Sequence, residues 1–369
     1  MISPVRGSAP TLAERIEETG NRSTGFDYMR IGLATAVVFW HSFTTSYGNA
    51  FAYGFLTTPF RPLVAAIVPM FFALSGFLVA GSLFRNSVST FVGLRVIRIV
   101  PALAVETLLS AFILGTLLTT VPLRQYFASP IFFKYLCNIV GWIHYQLPGL
   151  FLTNPVPNRV NGQLWTVPWE LWCYFSLTLA ALLRVVRMRA VFLGATVLGT
   201  IALFAFEALI HHGHMDQENG VAPPALLMAF LSAVAIYLYR DKLPWSGAWC
   251  AASAVVLVGL FEIPGGDYLV GFPAAYVTIY LGLLNPRKIR LLQGADYSYG
   301  LYIYHYVIQQ AYVYLVPAGR HWYFVFPVSF VLGSAFAAGS WTLIEKPALR
   351  LRSRLPTFER LFGEKLRTA

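Results

Sequence analysis

Arg30 and His41 are the only ionisable groups in an otherwise apolar run, MRIGLATAVVFWHSF, residues 29–43. They are eleven positions apart, and at about 100° per residue a helix brings them within about 20° of one face, roughly 16 Å apart along its axis. An imidazole held deep in such a helix turns to a bundle interior or a wet cavity, where it is either a satisfied structural group or a base. Arg30, near the start of the run, is either an interfacial anchor or an anion ligand. Arg95 and Arg98 in RVIRIVP are one helical turn apart and share a face. That spacing suits a positive stop beside a span, or a bidentate grip on phosphate.

Glu170, in NGQLWTVPWELWCYF, is the only carboxylate between Glu106 and Glu207. It falls at a depth comparable with His41, and an acid there needs a partner. Two partners fit: the His41 imidazole, whose basicity a carboxylate raises, or a neighbouring indole or hydroxyl. His305, at the end of DYSYGLYIYH after Asp296 and Tyr302, is a further candidate, as is Trp165 ahead of Glu170. Ser75 and Gly76 in FFALSGFLVAG read as a close helix contact. His211, His212 and His214 have no matching ligand set, so no metal is expected. The three cysteines give neither a disulfide framework nor a metal spacing.

The elements that must position these groups are helices in lipid. Hydrophobic residues make up 57% of the chain, charged residues 12%, and mean hydropathy is +0.61, a balance that points to an integral membrane protein. Apolar runs of about 18 to 23 residues recur, the length a helix needs to cross a bilayer, and barrel-type alternation is absent. Ten spans are expected, near 26–46, 62–84, 98–120, 165–184, 189–210, 222–239, 246–263, 267–284, 297–316 and 322–343. The apolar stretch 130–150 carries Lys134, Asn138, His144 and Pro148, which suits a re-entrant or interfacial element.

Lys and Arg gather in alternate loops, LRVVRMR, RDKLPW and NPRKIR among them, while HHGHMDQENG and EIPGGDYL have none. The positive-inside rule then places both termini in the cytoplasm. Residues 1–25 form a polar cytoplasmic segment without a cleavable signal, 26–345 the membrane domain, and 346–369 a basic cytoplasmic tail. The net charge of +11 owes much to that tail. It suits anionic lipid and not nucleic acid.

Taken together and in order, the R-x10-H pair (Arg30, His41), FFALSGFL, the R-x-x-R pair (Arg95, Arg98), LWTVPWE ending at Glu170, YSYGLYIYH and the EKP of Glu345 to Pro347 resemble the membrane acyltransferase-3 family. The resemblance covers about residues 26 to 350. It implies a multi-pass protein of the bacterial inner membrane that takes an acetyl or similar acyl group from a cytoplasmic acyl-CoA, of acetyl-CoA type, and transfers it to a hydroxyl of an extracytoplasmic or exported glycan. Arg30, Arg95 and Arg98 then hold the donor's anionic part. His41 serves as base or acyl carrier, Glu170 orients it, and His305, Trp165 and Tyr302 are candidates for a secondary or acceptor site. Membrane lipids are the remaining partner, and the oligomeric state is open. Many relatives have a second acid after the glutamate, where Leu171 stands here, and many carry a further esterase-like domain, where a short basic tail follows here. Intramembrane His, Glu and Arg also suit a proton-coupled transporter or flippase, the competing class. Basic pairs at one mouth and the absence of repeated halves favour the enzyme.

Overall fold

The computed structural model describes residues 9–211, 220–287, 289 and 296–355. Secondary structure among them is helical, with one isolated bridge between Thr11 and Pro244 and no strand. A helix occupies each of the ten expected stretches, from Gly25–Tyr47 at the first to Trp322–Ser340 at the last. Among the described residues, four helical segments are long and apolar enough to cross a membrane: Arg61–Leu83, Val88–Leu118, Arg189–Leu209 and Trp322–Ser353. Gly25–Tyr47 has comparable length, 23 residues, but Asp27, Arg30, His41 and several hydroxyls dilute it. Pro223–Leu238 and Gly247–Phe261 fall short at 16 and 15 residues, against about 20 for a straight crossing.

One boundary departs from the sequence reading. The third helix starts at Val88, not near residue 98, because the Ser87 hydroxyl caps the Thr90 amide at 3.3 Å. Arg95 and Arg98 therefore lie inside this helix instead of ahead of it. The 130–150 stretch forms only the helix Pro130–Leu136 and a 3-10 turn, Cys137–Val140, before irregular chain. That is too short to span, as its polar residues suggested. His212 and His214 lie outside the described residues, as do positions 356–369 of the basic tail.

The chain forms two compact units. The first comprises Met1–Arg30, Arg61–Arg85 and Leu179–Gln293. Here Gly76 lies against the Phe230 carbonyl so closely that a Cβ would collide with it, which is the close approach the Ser75–Gly76 pair suggested. Arg61, which the sequence reading passed over, is 4% exposed and reaches Asp267 at 2.6 Å, the Gly220 carbonyl at 3.4 Å and the Phe261 carbonyl. Asp267 also accepts from the Ala222 amide at 3.2 Å. One buried ion pair thereby ties four segments together.

The second unit comprises Ile31–Phe60, Asn86–Thr178 and Gly294–Ala369. Its centre is the helix Ser298–Leu315, which buries His305, Gln309 and Gln310 at 0% exposure. Buried amides and imidazoles must find partners within the protein. Those partners define the site.

Candidate active site

His41 and His305 meet in the second unit. His41 Nδ1 is 2.8 Å from His305 Nε2, and the ring centroids are 5.1 Å apart with planes 6° from parallel. His305 is fully buried, whereas His41 is half-buried. Tyr306 stands at 86° to the His41 ring with centroids 5.2 Å apart. Gly162 lets it sit there, since a Cβ at that position would fall 2.6 Å from Tyr306 Cζ and 3.0 Å from Arg159 Cδ. The two histidine helices are fastened near the pair. Gln309, one turn beyond His305, donates to the Val38 carbonyl at 2.9 Å, and Thr45 bridges the His41 carbonyl at 2.7 Å and Gln309 Oε1 at 3.4 Å.

Glu170 does not hold His41. Its Oε1 accepts the Tyr174 hydroxyl at 2.5 Å, and its charged neighbours are Arg98 and Arg95. Tyr174 is at i+4 on the same helix, so of the two partners the sequence allows, the neighbouring hydroxyl is the one that meets Glu170. Matched depth says nothing of which face a side chain occupies.

The arginine pair is not an open clamp either. Arg98 Nη2 is 2.7 Å from Asp296 Oδ2, its plane lies 5.7 Å from the Tyr299 ring, and Glu345 of the EKP stretch is another charged neighbour. Arg95 lies over Phe91 and Tyr174 at 5.6 and 5.7 Å, with a buried Nε that no protein group meets. Arg95 and Arg98 thus sit in a mixed-charge cluster with Glu170, Asp296 and Glu345, in which the acids outnumber the arginines by one.

Arg30 belongs to the first unit, where Asp27 is its neighbour at 3.6 Å. There it lines a cavity of about 630 Å³ together with Arg22, Arg85, Arg189 and Arg240, facing Glu17, Asp27 and Asp241. Five arginines against three carboxylates leave two positive charges in excess. Phe26, Phe77 and Tyr237 line the same cavity, with Phe26 stacked on Phe77 at 5.7 Å and Tyr237 edge-on to Phe77 at 5.4 Å. Guanidinium groups beside aromatic faces suit a phosphorylated ligand with a planar ring.

Tyr302 has structural surroundings, and Trp165 ends the turn it holds. The Tyr302 hydroxyl donates to the Gln163 carbonyl at 2.8 Å and is 2.6 Å from Thr166 Oγ1, which pins the 3-10 turn Gly162–Trp165 to the histidine helix. Gln163 completes the tie by donating to the Ile303 carbonyl at 2.6 Å. Arg159 is the residue that sequence reasoning missed. It is a charged neighbour of His41, lies 4.7 Å from the Tyr145 ring, and has its carbonyl bonded to Gln310 Nε2 at 2.5 Å. The signal was present, since Arg159 is one of only three basic residues in the whole 121–164 segment. Among the described residues no three His, Cys, Asp or Glu side chains gather as metal ligands.

The chain matches an acyltransferase domain family over residues 23–345. It is similar to nodulation protein 10 of Rhizobium leguminosarum bv. viciae, 29% identical over 370 residues, covering 92% of this chain and 96% of that protein. It is also similar to an O-acetyl transferase of Shigella phage Sf6, 27% identical over 346 residues, covering 88% and 96%. No solved structure matches it.

Proposed function

Because the chain belongs to the acyltransferase-3 domain family, we propose that it is a membrane O-acetyltransferase that moves an acetyl group from acetyl-CoA to a hydroxyl of an exported or extracytoplasmic glycan. The phage relative named as an O-acetyl transferase supports the reaction type. Ten spans with both termini in the cytoplasm, in the bacterial inner membrane, are the topology that goes with this reading. The helices at all ten apolar stretches and the uneven loop charge support it.

The observation that carries the proposal is His41. It is a half-buried imidazole held through one ring nitrogen by a buried neighbour, so the other nitrogen is the one left for chemistry. Two routes use that nitrogen. In the direct route Nε2 takes the proton of the sugar hydroxyl, the oxygen attacks the thioester carbonyl, the C–S bond breaks, and the thiolate leaves with the proton that His41 carries. In the other, Nε2 attacks the carbonyl first and the coenzyme A thiolate leaves as the C–S bond breaks; the sugar hydroxyl then takes the acyl group as the C–N bond breaks, and its proton passes to the thiolate. A water-poor setting limits loss of the thioester to hydrolysis.

The donor's phosphates suit arginines. For Arg30 the support is the cationic, aromatic-lined cavity of the first unit. For Arg95 and Arg98 it is narrower, because Asp296 already occupies Arg98 and a phosphate there must compete with it. Incubating purified protein with labelled acetyl-CoA and envelope glycans tests the reading. Alkali-labile label on glycan from the parent, and none from His41→Ala with its helical content unchanged, is the expected result. Label carried across a bilayer without ester formation would identify a carrier instead.

A further inference from the structure

His305 is as informative as His41, because its surroundings leave one choice of tautomer. Its Nδ1 is 2.8 Å from the Tyr302 carbonyl and 3.1 Å from the Leu301 carbonyl, the i−3 and i−4 groups of its own helix. A carbonyl oxygen can only accept, so Nδ1 carries the hydrogen. In the neutral ring Nε2 is then a bare lone pair, and the nitrogen it faces at 2.8 Å, His41 Nδ1, must donate. A neutral His41 that donates from Nδ1 has its own lone pair at Nε2.

The geometry agrees with a real hydrogen bond between the rings. When two imidazole nitrogens are 2.8 Å apart, a centroid separation of 5.1 Å is that contact plus both ring radii, so the rings lie edge to edge in nearly one plane. The lone pair of His305 therefore points along the N–H of His41. Gln309 and Thr45 hold the two helices in this register from one turn away.

We infer that His305 is a positioning residue: through an in-plane Nδ1–H···Nε2 bond it fixes His41 in the tautomer that presents Nε2 to the reacting hydroxyl or thioester. This rests on His41 being the reacting imidazole. In water an imidazole exchanges its hydrogen between the two nitrogens; here the carbonyls of Leu301 and Tyr302 set the first ring and the first ring sets the second. The same bond strengthens when His41 gains a proton at Nε2, since the donor then bears charge.

The test is ¹⁵N resonance of histidine-labelled full-length protein in detergent, with the His41 signals assigned by their loss in His41→Gln. His41 should show a protonated Nδ1 and an unprotonated Nε2. His305→Leu removes the acceptor and should lower kcat by at least about a hundredfold, within the range of acid–base catalysis, while leaving the donor KM within about twofold. His305→Gln keeps an amide oxygen to accept from His41 and an amide nitrogen to donate to the carbonyls, so it should retain the His41 tautomer and most of the activity even if the leucine variant does not fold. A wild-type His41 protonated at Nε2 overturns the inference, as does a leucine variant with parental kcat. A glutamine variant as slow as the leucine one despite an intact tautomer overturns it too. Activity surviving in His41→Ala would instead defeat the reading of His41 itself and leave the tautomer result standing.

Discussion

Removing one partner of the Arg61–Asp267 pair should destabilise the protein far more than removing both. Each residue is 4% exposed, and the guanidinium meets Asp267 at 2.6 Å. Asp267→Ala leaves that guanidinium with carbonyls but no counter-charge, which costs about 3–5 kcal/mol for a buried pair broken from one side. The Ala222 amide loses its acceptor as well, adding about 1 kcal/mol. Against a total stability of about 5–15 kcal/mol, such a variant approaches unfolding at ordinary temperatures. The double variant Arg61→Met with Asp267→Leu discards both charges at similar volume. Because Arg61 Nε already lacks a partner, the native pair is imperfectly satisfied, and the double variant should lie within about 2 kcal/mol of the parent. Loss of helical circular dichroism on titration of micellar protein with a denaturing detergent, for the parent, Arg61→Met, Asp267→Leu and the double variant, gives all four corners of the cycle. A coupling energy of at least about 2 kcal/mol is expected. If the single variants are as stable as the double, the pair is not the clasp described above.

Gly162→Ala should cost about 1–3 kcal/mol, since the added methyl meets Tyr306 Cζ at 2.6 Å. It should lower turnover more than donor affinity, because Tyr306 packs on His41; unchanged kinetics would detach Tyr306 from the site. Arg30→Ala combined with Arg85→Ala should raise the donor KM most at low salt and flatten its salt dependence, and a KM unmoved by either would remove the cavity from donor binding. Asp296→Asn frees Arg98, and should strengthen donor binding if Arg98 reaches phosphate; isothermal titration with coenzyme A reads the sign. Tyr174→Phe takes the hydroxyl from Glu170 and should reduce stability by about 1 kcal/mol without altering the His41 tautomer, a result that a Glu170–His41 bond would contradict.

The sequence made helices and candidate groups legible because each depends on local pattern: apolar length, charge interruption, spacing along one turn. His41 and His305 could both be singled out this way. Their bond could not, since it depends on the rotation and register of helices whose contact residues are 264 positions apart. Glu170 shows the same gap from the other side. Its depth is readable, and so is Tyr174 four residues on, but depth alone does not decide between a partner at helical spacing and one on another helix. Arg98 was judged by the positive charge around it, while Asp296, the group that claims it, lies 198 residues away. Arg61 has nothing nearby to mark it, because its acid lies 206 residues away.

With the two imidazoles acting together as proposed, their separation of 264 residues also sets when the protein can first work. At roughly 5–20 residues per second, a ribosome finishes His305 between about ten seconds and a minute after His41 has left the peptidyl-transferase centre. On the proposal that His305 positions His41, the earlier helix waits until then without its companion, and a chain released before residue 305 is expected to be inert. Two separately expressed fragments divided before Ser298 should be silent alone and regain turnover together.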